Sequence, residues 1–461
     1  MLVPAAADAG VGNPDWQVFA LSAGFTLFIG VLFILTTRTE MRILSIRQAF
    51  VLTTLSWIAL PTFAALPFTF SELNLNYTDA FFESMSGITT TGSTIITELD
   101  AAPPGILLWR SLLQWLGGVG IIVMAVSILP MLQVGGMQLF RMEFAERVDK
   151  ALPRAAQIGA WIAVIYLGLT LICATLYWLV GMDGFDAINH AMTTVATGGY
   201  STHDNSVGVF DHTGIDIIAT VFMILGSLPF LLYLQAVHAN IKPLFTDSQV
   251  KWFAAILSTA IICTILNLII QNGWDFWPAV RYASFNVTSI MTGTGYSTTD
   301  YGEWGAFALV MFYLLMFIGG CAGSTTCGIK IFRIQVLYET TRRQLRRLLQ
   351  PHGVFIAYYN GKSIPDSVAD SVMSFFFLFA VIFCLLAATL GMLGLDFITA
   401  TSGAGTALAN VGPGLGPTIG PSGNFSSLPD AAKWVMAVGM LLGRLEIFTV
   451  IVLFSRHFWQ D

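Results

Sequence analysis

The sequence predicts an all-α polytopic membrane protein: four helix, re-entrant pore loop, helix repeats in pseudo-fourfold arrangement around a central pore. Three observations predict it. Of 461 residues, 55% are hydrophobic and only 10% charged, and the mean hydropathy is +0.73, whereas a soluble domain carries roughly a quarter charged residues. Several apolar runs reach the ~20 residues that cross a bilayer core. Between them lie four shorter segments, each ending in glycine and hydroxyl residues, that repeat along the chain. This composition excludes a nucleic-acid binder and a secreted disulfide scaffold. The net charge of -6 says little about partners, and the five cysteines (Cys173, Cys263, Cys321, Cys327, Cys384) show no metal-ligand spacing.

Taken in order, full spans are expected near 16–37, 46–67, 105–131, 157–181, 213–238, 251–271, 304–348, 368–392 and 431–457. No Lys or Arg precedes the first run, so a cleaved signal peptide is not expected and the amino terminus is expected outside. The run from 304 is apolar to Ile318, becomes a glycine-rich loop from Gly319 to Gly328, and resumes as a basic helical stretch.

The short segments are TDAFFESMSGITTTGST (78–94), FDAINHAMTTVATGGYST (185–202), WDFWPAVRYASFNVTSIMTGTGYSTTD (274–300) and LDFITATSGAGTALANVGPGLG (395–416). Aligning Gly92, Gly199, Gly295 and Gly412 gives intervals of 107, 96 and 117 residues. The expected organisation is an amino-terminal segment with one extra helix (1–45) and pore repeats at 46–135, 136–240, 241–350 and 351–461, the third carrying the interrupted loop 319–328.

Charge placement orients the chain. If the short segments enter from outside, 17 of the 21 Lys and Arg residues fall inside: Arg38, Arg42, Arg47, Arg141, Arg147, Lys150, Arg154, Lys242, Lys251, Lys330, Arg333, Arg342, Arg343, Arg346, Arg347, Lys362 and Arg456. Arg110, Arg281 and Lys433 fall outside and Arg444 lies within the membrane.

Irregular backbone at membrane depth is tolerated only where protein or a water-filled path meets its polar groups, so the four segments are expected to share an axis. A short helix ending halfway across aims its negative dipole end at that axis and favours a cation. Asp79, Asp186 and Asp396 lie near the starts of these helices, where a carboxylate caps free amides; Asp275 and Pro278 open the third. Glycine permits the positive φ that aims consecutive carbonyls one way, so Thr90-Thr91-Gly92, Thr197-Gly198-Gly199, Gly293-Thr294-Gly295 and Asn410-Val411-Gly412 read as a ring of oxygen ligands of the kind that replaces a potassium ion's water shell. Close helix packing by small residues is the competing explanation.

The stretches Phe81–Gly92, Gly198–Asp204, Gly319–Thr325, Asn410–Gly416 and Gly443-Arg-Leu-Glu446 together resemble the Trk/Ktr/HKT superfamily of potassium transporters, the bacterial TrkH type most of all. The resemblance implies a potassium uptake subunit of the bacterial cytoplasmic membrane, not an enzyme, with potassium as substrate and no covalently bound cofactor. It implies a homodimer controlled by a cytosolic nucleotide-binding subunit of TrkA type. The potassium-binding filter falls on Thr90, Thr91, Gly92, Thr197, Gly198, Gly199, Gly293, Thr294, Gly295, Asn410, Val411 and Gly412. The gate falls on Gly319, Gly320, Gly323, Ser324, Thr325, Gly328 and Arg444. Glycine at 92, rather than the serine of sodium-conducting relatives, favours potassium. Two departures stand out: one helix rather than two precedes the first repeat, and Cys327 stands where the gate loop usually has glycine.

An intramembrane arginine needs a partner: for Arg444 the alternatives are gate-loop carbonyls, a pore-helix carboxylate such as Glu83, or snorkelling to the inner interface. The cluster Arg342, Arg343, Arg346 and Arg347 is either an anchor for anionic lipid or a docking surface for the regulatory partner. His203 and His212 are expected in an exposed external loop. Coupled potassium/sodium or potassium/proton symport is the functional alternative, weakened because Glu83 and Glu446 are the few carboxylates placed to relay a proton. No HExxH or other intramembrane protease signature is present.

Overall fold

The computed structural model describes residues 1–37, 45–127, 155–237 and 240–460. Among them, six helices are long and apolar enough to cross a membrane: Trp16–Thr36, Ile46–Phe70, Pro104–Met124, Gln157–Leu179, Ser248–Ile270 and Asp366–Met392. The chain is a multi-pass membrane protein. Arg38, Arg42, Arg141, Arg147, Lys150 and Arg154, which enter the orientation argument, lie outside the described residues, as do 128–131 of the third expected span.

Four short helices, Tyr77–Ile88, Gly184–Val195, Phe276–Met291 and Phe397–Ala409, are the pore helices of the four units. Each packs on the spanning helix before it, and each also meets the second helix of the preceding unit. Pro104–Ser127 meets the second pore helix, Thr213–Ser227 the third, and Asp430–Arg444 the first. Met316 and Phe317, at the end of helix Ala306–Leu315, press on Gly405 of the fourth. The sequence of contacts closes on itself, which is the pseudo-fourfold arrangement the repeats predict.

The second helices of units two and four are not the continuous spans expected at 213–238 and 431–457. The first breaks between Thr213–Ser227 and Phe230–Val237 with a 94° bend, the second between Asp430–Arg444 and Phe448–Phe454 with 106°. Pro229 has no amide to donate, and the carbonyls freed at Gly226 and Ser227 accept from Thr325 and Cys321 of the interrupted loop at 3.2 and 3.0 Å. In unit four, Glu446 and Ile447 adopt left-handed φ of 62° and 52°, a strained state for a β-branched residue. All three second helices of units two to four are thus broken around the loop of unit three.

The amino-terminal segment holds a short helix, Leu2–Val11, before the expected span. Asp8 Oδ1 accepts from Gly105 N at 2.6 Å, so this helix supplies from a distance the cap that Pro104–Ser127 lacks locally. The pore-helix caps also differ from expectation. Asn76 and Asp183 are the first two caps, accepting from the amides of Asp79 and Phe185. Asp79 and Asp186 sit three residues further on, and Asp79 pairs with Lys433 at 2.5 Å. Asp396 caps as expected, from Ile398 N and Thr399 N; Asp275 holds the cap position of the third helix without a side-chain hydrogen bond. Arg281, like Lys433, is paired, its Nε 2.6 Å from Asp216.

Candidate functional site

Each pore helix ends the same way. The amides of Thr91, Gly198, Thr294 and Val411 reach back five residues to Ser86, Thr193, Ser289 and Thr406 at 2.9, 2.9, 2.9 and 3.1 Å. The residue before each is left-handed: Thr90, Thr197, Gly293 and Asn410 have φ of 53°, 49°, 68° and 53°. This is a Schellman-type ending. Two residues on, Gly92, Gly199, Gly295 and Gly412 are left-handed again, at 89°, 77°, 84° and 108°. Alternating handedness turns successive peptide planes so that the amides serve the helix end and the carbonyls before the glycines turn toward the neighbouring loop.

The four loops touch in a ring. A Cβ added to Gly92 would lie 2.2 Å from the carbonyl oxygen of Gly198, one on Gly199 1.8 Å from that of Thr294, one on Gly295 2.3 Å from that of Val411, and one on Gly412 2.8 Å from that of Thr91. Every aligned glycine therefore faces the carbonyl that precedes the aligned glycine of the next unit, and unit four returns to unit one. Packing of helices by small residues does not produce this cyclic order, because the atoms met are loop carbonyls and not helix side chains. All twelve residues of the expected ring are brought together and buried or nearly so.

Buried side chains brace the ring from behind. Arg110 Nε lies 2.8 Å from Glu83 Oε1, with both side chains all but fully buried. Glu83 also accepts from Ile95 N at 2.8 Å, and Arg110 donates to Ser201 O at 2.7 Å. Tyr200 Oη donates to Glu83 O at 2.9 Å, and Tyr296 Oη reaches His190 O at 3.2 Å and Thr193 Oγ1 at 2.5 Å, so each tyrosine ties its loop to the preceding unit's pore helix. Gln114 Nε2 donates to Gly198 O at 2.6 Å. The sequence reasoning passed over these braces, although Arg110 and Gln114 stand four apart in an apolar helix and tyrosine follows the aligned glycine in two units.

Above the ring a cavity of about 70 Å³ is lined by Gly92, Gly199, Gly295, Pro413, Arg110 and His203, among others. His203 is not free in an exposed loop. Its Nδ1 meets Asp100, and its Nε2 lies 3.1 Å from Asp186 Oδ2. Burial by itself would lower the His203 pKa, but hydrogen bonds to the two carboxylates outweigh it and hold it above its ordinary value. His212 instead caps helix Thr213–Ser227 through Nδ1.

Below the ring lies the loop from Gly319 to Gly328. Gly319 N donates to Ile329 O at 3.0 Å and Gly320 N to Thr326 Oγ1 at 3.1 Å, while Gly323 O accepts from Phe230 N at 2.9 Å. Ser324 Oγ lies 2.7 Å from Thr326 Oγ1, and Gly323 and Gly328 are left-handed. Thr325 Oγ1 accepts from Thr197 Oγ1 at 3.1 Å, which joins loop to ring directly. Arg444, 1% exposed, donates to Thr325 O at 3.2 Å, Gly117 O at 2.8 Å and Cys327 Sγ at 2.6 Å. Glu83 is taken by Arg110, so the carboxylate alternative for Arg444 is replaced by the loop carbonyl. A water-sized cavity of about 20 Å³ beside these contacts is lined by loop residues together with Gly443, Arg444 and Glu446.

Among the described residues no group of three or more His, Cys, Asp or Glu side chains can hold a metal ion. The oxygens that the four loops turn toward one another are backbone carbonyls, the ligand type that replaces a cation's hydration shell in potassium channels. Fold and site together define a polytopic helical protein with four re-entrant loops meeting on one axis, the architecture of a cation-conducting pore.

A family model described as "TrkH: Cation transport protein" matches residues 16–461. The Trk system potassium uptake protein TrkI of Halomonas elongata is 46% identical over 451 residues, covering 97% of this chain and 91% of that one. The Trk system potassium uptake protein TrkH of Escherichia coli K12 is 38% identical over 457 residues, covering 98% and 93%. The crystal structure of the potassium transporter TrkH from Vibrio parahaemolyticus superposes with a TM-score of 0.92 at 37% identity, covering 100% of this chain and 96% of that one. The chain belongs to the TrkH cation transport family.

Proposed function

We propose that this protein takes up potassium across the bacterial cytoplasmic membrane through the ring of Thr90, Thr91, Gly92, Thr197, Gly198, Gly199, Gly293, Thr294, Gly295, Asn410, Val411 and Gly412. The observation that carries the proposal is the closed contact order of four left-handed glycines and four carbonyls. The described residues of the repeats 46–135, 136–240, 241–350 and 351–461 close around that axis. A membrane potential of 100 mV, negative inside, supplies about 2.3 kcal/mol per cation, enough for nearly fiftyfold accumulation without coupling. Glu83 and Glu446 are held by Arg110 and Arg333, which supports a pore over coupled symport.

The loop of Gly319, Gly320, Gly323, Ser324, Thr325 and Gly328 acts as the gate, with Arg444 as its latch. It lies directly beneath the ring, is pinned by the broken helix of unit two and by Arg444, and has a cavity beside it. A homodimer controlled by a cytosolic nucleotide-binding subunit of TrkA type completes the reading, and family membership is its support. Rescue of potassium-limited growth in a transport-deficient strain tests the proposal. Rescue is expected from the native chain and is expected to weaken, with relative gain of sodium transport, for Gly92→Ser; a native chain that gives no rescue contradicts it.

A further inference from the structure

We propose that Gln114 is a positioning residue that sets ion discrimination by fixing the carbonyl of Gly198, an inference that rests on the potassium-pore reading. Gln114 belongs to the second helix of unit one, is fully buried, and crosses to the loop of unit two. Its Nε2 donates to Gly198 O at 2.6 Å and its Oε1 accepts from Tyr200 N at 3.0 Å. One side-chain amide thus grips the backbone on both sides of Gly199.

The same contact explains why unit two has glycine at 198 where the other units carry Thr91, Thr294 and Val411. A Cβ on Gly198 would lie 2.4 Å from Gln114 Cδ and 2.5 Å from its Oε1. Gln114 fills from outside the volume that a native side chain fills elsewhere. In units one and three the side chain at this position is braced locally, Thr91 Oγ1 lying 2.7 Å from Thr89 Oγ1 and Thr294 Oγ1 2.7 Å from Thr292 Oγ1, and Thr91 Oγ1 also accepts from Asn410 Nδ2 of unit four at 2.9 Å. In none of those units does a side-chain donor hold the carbonyl itself at comparable distance among the hydrogen bonds described.

The Gly198 carbonyl is also the one that meets Gly92. A carbonyl with one lone pair committed to a buried amide keeps a fixed direction and offers the axis a weaker field than its three counterparts. Whether a pore discriminates by fit or by ligand field, both quantities are altered at this corner of the ring. Among the hydrogen bonds described, the ring therefore has one carbonyl held by a side-chain donor and three without one, and Gln114 sets the difference.

The test uses the full-length protein in lipid vesicles, with the potassium-to-sodium permeability ratio read from reversal potentials. Gln114→Leu removes both hydrogen bonds. Gln114→Glu keeps the acceptor for Tyr200 N but, ionised, has no donor for Gly198. The double variant Gln114→Ala/Gly198→Thr gives unit two the side chain of units one and three. Both single variants are expected to conduct with the ratio reduced between about two- and tenfold, the range of one net hydrogen bond, and the double variant to recover most of it. A conducting Gln114→Glu protein with the native ratio, or a double variant no better than the singles, overturns the inference. A native protein without a potassium-dependent reversal potential refutes the pore reading beneath it, and the two failures are told apart by measuring the native chain first.

Discussion

Gly293 and Gly295 lie two residues apart in one loop, and both are left-handed, at φ 68° and 84°. Their substitutions are expected to differ sharply. A Cβ on Gly295 would sit 2.3 Å from Val411 O, whereas one on Gly293 would meet nothing closer than Asn410 O at 3.2 Å. Units one, two and four already carry Thr90, Thr197 and Asn410 at the place of Gly293, at φ 53°, 49° and 53°. Gly293→Asn therefore meets only a small contact adjustment, and asparagine tolerates the left-handed region. Gly295→Ala meets both penalties: the left-handed backbone costs roughly 1–2 kcal/mol for a residue with a Cβ, and overpacking adds about 1–3 kcal/mol. The Val411 carbonyl must retreat by roughly 1 Å to regain ordinary contact. On the proposed filter, that retreat displaces a ligand, so ion preference is expected to suffer beyond the loss of stability. Thermal unfolding in detergent and reversal potentials in vesicles measure the two effects. Gly295→Ala is expected to lower both stability and potassium preference, and Gly293→Asn to leave them near native. Equal damage by the two, or a native ion preference in folded Gly295→Ala, refutes the ring.

Arg444→Gln removes the guanidinium that holds Thr325 O, Gly117 O and Cys327 Sγ; unstimulated potassium flux is expected to rise about tenfold or more, as charge-assisted bonds contribute about 1.5–3 kcal/mol each, and Cys327→Gly to give a smaller rise in the same flux assay. Arg110→Leu strands Glu83 in a buried site and is expected to destabilise by about 3–5 kcal/mol, with Glu83→Leu/Arg110→Leu closer to native by thermal unfolding. His203, with its pKa raised, contributes stability that is fully present below its unfolded pKa and is lost as pH rises through the folded value; Asp100, whose pKa the His203 hydrogen bond lowers, contributes stability lost as pH falls through its own folded value. Stability of the outer loop against proteolysis is expected to peak between those limits, and His203→Gln to abolish its alkaline limb.

The repeats were legible because one chemical requirement recurs four times: a residue able to turn left-handed, then glycine where neighbouring carbonyls crowd. The break at Ser227-Leu-Pro229 was also written in the chain, since proline at that depth cannot continue a hydrogen-bond ladder, but its apolar flanks read as one span. The break at Glu446-Ile447 carries no such breaker; it exists because Arg333 draws Glu446 and Leu442 O accepts from Ile447 N at 2.8 Å. The caps of the first two pore helices lie three residues before Asp79 and Asp186, because Asn76 and Asp183 offer an equally good acceptor one turn earlier. Gln114 and Gly198 become a pair only once units one and two are packed, which no spacing within either unit reveals.

If the ring is a filter, an ion is liganded on the axis shared by the four loops. Anomalous scattering from protein crystals loaded with thallium, which substitutes for potassium, tests it most directly. The account predicts a peak within ligand distance of the carbonyls of Thr91, Gly198, Thr294 and Val411. Peaks found only off that axis, with none inside the ring, contradict it.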